Sequence, residues 1–131
     1  MAPGEKLTFR SRHRLRHARE FAAVYDARVR KSRGPLTLFT LPNDLKDHRL
    51  GLAVGVSVGN AVARNRIKRL LREAFRLERA GFPLSDDGYL DLLITVKPHK
   101  PMTLAEYRGM LVELMCSAAT EWSRRAKSRL P

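Results

Sequence analysis

The chain has 131 residues, of which 44% are hydrophobic, and its 26 Lys and Arg side chains exceed its 13 Asp and Glu side chains to give a formal net charge of +13. This length suffices for one compact domain with a hydrophobic core and is short for two. The charge favours an anionic polymer as partner, and no apolar run approaches the ~20 residues of a membrane-spanning helix, so a nucleic acid is a better candidate than a membrane.

Cysteine and histidine usage argues against a disulfide or a metal site. Cys116 is the only cysteine, so the chain cannot form an internal disulfide or supply a thiolate zinc site by itself. The histidines lack the paired spacing of metal ligands, and we expect them to be exposed polar residues: His13, His17, His48 and His99. The single thiol, together with a polar N-terminus that lacks the apolar segment of a secretory signal, predicts a cytoplasmic protein.

The hydrophobic pattern predicts an α+β fold in the order helix, strand, strand, helix, strand, helix. The predicted helices cover residues 17–28, 61–81 and about 103–122, and the predicted strands cover residues 36–41, 49–56 and 89–96. We expect the first two strands to pair as an antiparallel hairpin and the last strand to follow through a helical crossover. Thr103 and Glu106 form a capping-box sequence at the start of the last helix.

Three segments follow from this pattern. Residues 1–13 are polar and basic and predict a flexible arm, residues 14–123 predict a single RNA-binding domain, and residues 124–131 predict a basic tail.

Phe21 and Tyr25 lie four residues apart on one face of the first predicted helix, and the pattern alone favours core packing for this pair.

The stretch from Gly59 to Arg79, G-N-A-V-A-R-N-R-I-K-R-L-L-R-E-A-F-R-L-E-R, carries the strongest functional signal. Asn60 is a good N-cap residue for a helix that begins at Ala61. Apolar residues recur at helical spacing and predict one buried stripe: Val62, Ile67, Leu70, Leu71, Ala74 and Phe75. The remaining surface is cationic, with Arg64, Arg66, Lys68, Arg69, Arg72 and Arg76. Like charges at this spacing repel, and phosphates would remove the penalty, so the pattern predicts a phosphate-binding face.

Sequence signatures of an independent enzyme are weak. The run G-V-S-V-G from Gly55 to Gly59 lacks the lysine and hydroxyl of a phosphate-binding loop, and no Gly-x-Ser-x-Gly elbow is present. The carboxylates are few and mostly scattered among cations, which disfavours a general acid and base pair. We therefore expect no catalytic residues on this chain.

The sequence G-N-A-V-A-R-N-R-I-K-R, preceded by R-L-G-L-A-V-G-V, resembles the signature of the protein subunit of bacterial ribonuclease P. The run R-L-R-H-A-R-E-F-A-A-V-Y resembles the first helix of that family, and L-T-L-F-T-L resembles its first long strand. The last predicted helix corresponds to the terminal helix of the family. The resemblance implies a small mixed sheet with helices packed on it, similar to domain 2 of ribosomal protein S5, with a left-handed crossover around the basic helix. The chain departs from the family at Gly55, Val56 and Ser57, where members often carry a basic run.

What the resemblance implies for function is a division of labour between RNA and protein. A catalytic RNA, with magnesium ions, would remove the 5′ leader of precursor tRNA endonucleolytically, while the protein would bind no cofactor of its own. The implied partners are the ribonuclease P RNA and precursor tRNA, and neither DNA nor a membrane. The implied RNA-binding residues are Arg64, Asn65, Arg66, Lys68, Arg69 and Arg72. The implied leader cleft contains Phe21, Tyr25 and Phe39. With the resemblance taken into account, stacking on unpaired bases is as well supported for the aromatic pair as core packing.

Other functional classes share parts of this pattern. A basic structural protein of the ribosome would have the same charge, but it would not need Phe21, Tyr25 and Phe39 to be accessible on one concave surface. A DNA-binding regulator would need a recognition helix with a mixed polar face and usually a dimer surface. A free-standing nuclease would need catalytic residues.

Overall fold

The computed structural model of the protein describes residues 11–27 and 29–129. Within these ranges the helices are α1 (Ala18–Asp26), α2 (Ala61–Glu78) and α3 (Leu104–Ser128), and the strands are β1 (Val29–Arg33), β2 (Leu36–Pro42), β3 (Arg49–Ala53) and β4 (Leu90–Val96). Short 3₁₀ turns occur at Ser11–His13, Val56–Val58 and Arg79–Gly81. The α+β class is confirmed, and β1 is an additional strand that the hydrophobic pattern did not predict.

The four strands form one mixed sheet in the order β1-β2-β4-β3. β4 pairs antiparallel with β2 and parallel with β3, so the predicted hairpin between β2 and β3 is wrong. β4 lies inside the sheet between β2 and β3, a position that its apolar L-D-L-L-I-T-V sequence suits, and it is buried almost throughout. β2 forms its hairpin with β1 instead, through a turn at Gly34, whose φ of 55° suits glycine.

Helices cover both faces of the sheet. The larger core lies between the sheet and the pair α2 and α3, and it includes Leu36, Leu38 and the fully buried Tyr107. A smaller core under α1 contains Leu15, Val24, Phe39 and Leu93. The alternation of β2 therefore places Leu38 and Phe39 in different cores, as the period of a strand requires.

Two boundaries differ from the sequence prediction. Residues 11–13, predicted as part of a flexible arm, form a 3₁₀ turn in which His13 is buried. Residues 124–128, predicted as tail, continue α3 to Ser128. The other arm residues, 1–10, lie outside the described residues.

The apolar stripe of α2 is buried as predicted at Ile67, Leu71, Ala74 and Phe75, with Leu70 partly buried. Val62 is an exception, because its side chain is 78% exposed. It precedes Ile67 by five residues, which at 100° per residue places it about 140° away around the helix. The prediction that Val62 belongs to the stripe is therefore wrong.

Two of the histidines are buried, which corrects the prediction that all four are exposed polar residues. His13 and His48 are 0% and 3% exposed. His48 Nδ1 accepts a hydrogen bond from the Leu90 N–H at 3.1 Å, and its ring packs edge-on against Phe82 and Tyr89. Burial lowers the pKa of His48 to about 4, while the charge of Asp47 opposes the shift.

The buried His48 makes a prediction for the pH dependence of stability. Because its pKa is lower in the folded than in the unfolded protein, the unfolded chain binds more protons between about pH 4 and 6.5. We expect the free energy of unfolding to fall by about 2 kcal/mol from pH 7 to pH 5, measured by urea denaturation at both pH values. His48→Asn, which keeps an acceptor for the Leu90 N–H but does not titrate, should show a smaller drop. An equal drop in both proteins would contradict the assignment to His48.

Candidate nucleic-acid interface

α2 begins as its sequence predicts. The Asn60 side-chain oxygen accepts a hydrogen bond from the Ala63 N–H at 2.9 Å, which satisfies one of the free amide groups of the first turn. No acidic residue lies in that turn. The positive end of the helix dipole is therefore not offset locally, and it adds to the charge of the arginines that follow.

The predicted RNA-binding residues divide between two flanks of α2. At 100° per residue, five of them lie on one flank: Arg64, Asn65, Lys68, Arg69 and Arg72. Arg66 lies on the other flank, where its guanidinium donates to the Met102 carbonyl oxygen at 3.5 Å. Arg64 is partly engaged, because its Nε donates to the Gly59 carbonyl oxygen at 3.2 Å. The most available cations are therefore Lys68, Arg69 and Arg72.

The charge of α2 is largely uncompensated by protein carboxylates. Among the described residues, Arg64, Arg66, Lys68, Arg69 and Arg72 form no ion pair. Two other cations do: Arg76, in the last turn of α2, pairs with Glu73 through two hydrogen bonds, and Arg108 of α3 pairs with Glu78 at 2.9 Å. The unpaired positive charge of this helix is thus available to an external anion.

The predicted leader cleft lies on the other side of the sheet from α2, under α1. Tyr25 is 56% exposed, and its ring lies over that of Phe39 with centroids 4.9 Å apart. Phe39 itself is only 7% exposed, and it forms the base on which Tyr25 rests. Phe21 is partly buried and its ring lies over Gly51, where a Cβ atom would be 2.6 Å from Cε1 of the ring. Tyr25 and the edge of Phe21 therefore provide the accessible aromatic surface.

A polar network fixes α1 on the sheet and was not predicted from the sequence. Arg49 donates to both oxygens of Asp91 at 2.7 and 2.6 Å and to Glu20 of α1 at 2.8 Å. Glu20 also accepts the backbone N–H groups of Arg16 and His17, which starts the helix. The Arg16 hydrogen bond, followed by those of His17 and Arg49, holds the pKa of Glu20 at about 2. Only the tertiary structure brings these residues together, so sequence spacing carried no signal.

Two further observations limit the chemistry of the described residues. No group of three or more His, Cys, Asp or Glu side chains among them could hold a metal ion. The helices within residues 11–27 and 29–129 are also too short or too polar to cross a membrane.

Comparisons with known proteins agree on one family. The family model described as Ribonuclease P matches residues 9–119. A ribonuclease P protein component from Shouchella clausii is 39% identical over 106 residues, which cover 80% of this chain and 84% of the relative. One from Desulfovibrio desulfuricans is 36% identical over 104 residues, which cover 78% and 77%.

Solved structures give the same result. The RNase P protein of Staphylococcus aureus superposes with a TM-score of 0.68 at 26% identity, covering 81% of this chain and 94% of that protein. The RNase P protein of Thermotoga maritima gives a TM-score of 0.66 at 25% identity, with coverage of 78% and 94%. The resemblance drawn from the basic helix is thereby confirmed, while the handedness of the crossover stays a prediction.

Proposed function

The chain belongs to the ribonuclease P protein family, and from this premise we propose that α2 binds the RNA of the holoenzyme while the cleft under α1 binds the 5′ leader of precursor tRNA. The protein is a subunit of ribonuclease P, the endoribonuclease that matures the 5′ end of tRNA. It therefore works with the ribonuclease P RNA. Because the chain belongs to this family, we reject the alternatives of a ribosomal structural protein, a DNA-binding regulator and a free-standing nuclease.

The observation that carries the assignment to α2 is its unpaired charge. Lys68, Arg69 and Arg72 project from one flank without a carboxylate partner in the described part of the chain. Arginine supports this role because its planar guanidinium offers forked donors that match phosphate oxygens. Each phosphate that these side chains neutralise releases counterions, which makes binding favourable and salt-dependent.

The exposed ring of Tyr25 supports the assignment of the leader to the cleft. The Tyr25 ring is 56% exposed, and contact of its apolar surface with water is unfavourable in the free protein. The ring can instead stack on an unpaired base. Phe39 holds this ring from below, so the stacking surface is positioned before RNA arrives. A single-stranded leader fits such a site because its bases are free to stack, whereas those of a duplex are already stacked.

The chemistry of the proposed holoenzyme belongs to the RNA. Magnesium ions bound by the RNA would supply the metal chemistry, and the protein would contribute cationic side chains that offset repulsion between RNA strands and substrate. We propose on this basis that the protein acts in the cytoplasm and that precursor tRNA is its substrate partner.

Reconstitution tests the proposal directly. Cleavage of a 5′-extended precursor tRNA is measured at low magnesium with a bacterial ribonuclease P RNA, with and without this protein. The proposal expects faster cleavage at the mature 5′ end when the protein is present. No stimulation by folded protein with its cognate RNA would refute it.

Tyr25→Ala should separate leader binding from all other RNA contacts. We expect the affinity of the holoenzyme for precursor tRNA to fall roughly tenfold or more, since stacking contributes about 1–3 kcal/mol per base. The affinity for mature tRNA should stay the same, and Tyr25→Phe should restore precursor binding because it keeps the ring. Equal losses for precursor and mature tRNA would argue against a leader cleft at Tyr25.

A further inference from the structure

A groove runs along the exposed side of α3. One part of it, about 540 Å³ in volume, lies between α3 and the segment that joins α2 to β4, and its apolar floor includes Pro83, Leu84, Cys116 and Ala119. A second part, of about 340 Å³, continues past Cys116 toward Lys31 of β1. All of the lining residues belong to α3, β1 or the segment between α2 and β4, so the groove shares none with the basic flank of α2 or with the cleft under α1.

Leu84 is held in an exposed position on one wall of this groove. Its side chain is 52% exposed. The residues that follow it are attached to α3, because the Asp86 N–H donates to Ser123 Oγ at 2.9 Å. Arg129 also donates to both carboxylate oxygens of Asp87 at 2.9 Å. These contacts fix the wall before a partner arrives, so binding at Leu84 does not have to order a loose segment.

The rim of the groove carries an excess of positive charge. One carboxylate, that of Glu121, is shared by three cations: Lys31, Arg124 and Arg125. Lys127 also lies on the rim and forms no ion pair within residues 11–27 and 29–129. An apolar floor beside uncompensated cations is complementary to a ligand that has both aliphatic groups and carboxylates.

The floor favours a protein segment over a nucleic acid. Nucleobases bind mainly by stacking on aromatic side chains, and none of the described residues that line the groove is aromatic. Aliphatic side chains gain from contact with Pro83 and Leu84, because the burial of apolar surface needs no particular geometry. A second copy of this chain is a poor fit, since two molecules with a formal net charge of +13 repel each other.

We propose that this groove binds an acidic segment of a partner protein, with an aliphatic side chain of the segment against Leu84 and its carboxylates at Arg124 and Lys127. The inference goes beyond the proposed RNA-binding role, because it gives the subunit a separate surface for a protein partner. The holoenzyme would then bind RNA through α2 and the cleft under α1 while α3 contacts another protein.

A fluorescein-labelled peptide of Leu-Glu-Glu repeats tests the groove in the reconstituted holoenzyme and, in parallel, in the free protein. We expect saturable binding that is about tenfold weaker in Leu84→Ser, because the burial of a leucine side chain is lost. Leu45→Ser is the matched control, since Leu45 is 48% exposed but does not line the groove. A peptide of equal charge with serine in place of leucine should bind weakly to all three proteins.

Cys116 reports where the peptide binds. It is the only cysteine of the chain, it is exposed, and it lines both parts of the groove. Bound peptide should therefore slow the reaction of Cys116 with iodoacetamide several-fold. Arg124→Ala/Lys127→Ala should weaken peptide binding and flatten its dependence on salt, because two cations of the rim are removed.

Four results would overturn the inference. The apolar floor is not used if no saturable binding occurs, or if Leu84→Ser binds the peptide as tightly as Leu45→Ser. The peptide binds elsewhere if Cys116 reacts equally fast in its presence. Loss of affinity for the ribonuclease P RNA in Leu84→Ser would make RNA the occupant of the groove. A dimer in sedimentation experiments that disappears in Leu84→Ser would make a second copy of the chain the occupant.

Discussion

Replacing Lys68, Arg69 and Arg72 together with alanine is expected to weaken binding to the ribonuclease P RNA by at least about a hundredfold, with a salt slope shallower by about 2 to 3. These three side chains are the cations of α2 that contact neither a carboxylate nor a backbone oxygen in the described structure. Alanine favours helix, so the fold should be preserved. Titrations of labelled RNA at several salt concentrations, with circular dichroism of each protein, measure both effects.

A matched variant distinguishes a site on α2 from a general effect of net charge. Arg124→Ala/Arg125→Ala/Lys127→Ala removes the same number of charges from α3, where Arg124 and Arg125 pair with Glu121. We expect a much smaller change in affinity for this variant, because two of its cations are already compensated. Similar losses in both triple variants would show that the overall charge, and not the flank of α2, determines binding.

The sequence predicted the helices well because their signals are local. The Asn60 cap, the capping box of Thr103 with Glu106 and the buried stripe of α2 all depend on residues close in the chain. The strand order depends on distant partners instead. β1 was missed because its sequence V-R-K-S-R is mostly charged, and a strand at the edge of a sheet tolerates such residues since one side faces water.

The site was predictable in residue type but not in arrangement. Periodicity indicated the cations of α2, yet it could not tell that Arg66 reaches the Met102 carbonyl while Arg72 lies beside Leu52 of β3. It also could not tell that Phe39 is buried beneath Tyr25, because an aromatic residue at a given position suits packing in the core and stacking on a base equally well. The sequence also did not reveal that His48 is buried, since its hydrogen-bond partner, the Leu90 N–H, lies far away in the chain. These are properties of tertiary contacts.

Arg49→Met is expected to lower the free energy of unfolding by about 3–5 kcal/mol. The guanidinium of Arg49 has a side-chain exposure of 19%, and it bridges Asp91, with 6%, and Glu20, with 22%. Its removal leaves the Asp91 carboxylate in the protein interior with only the Asn43 amide as a described hydrogen-bond donor. Because Glu20 also loses its contact with the sheet, α1 and the cleft above Phe39 should loosen. Urea denaturation at pH 7 measures the change.

Two further variants decide whether burial of the charge is the cause. Arg108→Met breaks a more exposed pair with Glu78, at side-chain exposures of 42% and 24%, and should cost less than about 1 kcal/mol. Arg49→Met/Asp91→Asn removes the stranded carboxylate along with its partner, so it should recover part of the loss. Equal costs for Arg49→Met and Arg108→Met, with no recovery in the double variant, would mean that Arg49 acts as an ordinary surface ion pair. Recovery of stability together with continued loss of precursor tRNA affinity would instead show that Arg49 and Glu20 hold α1 in position for the leader.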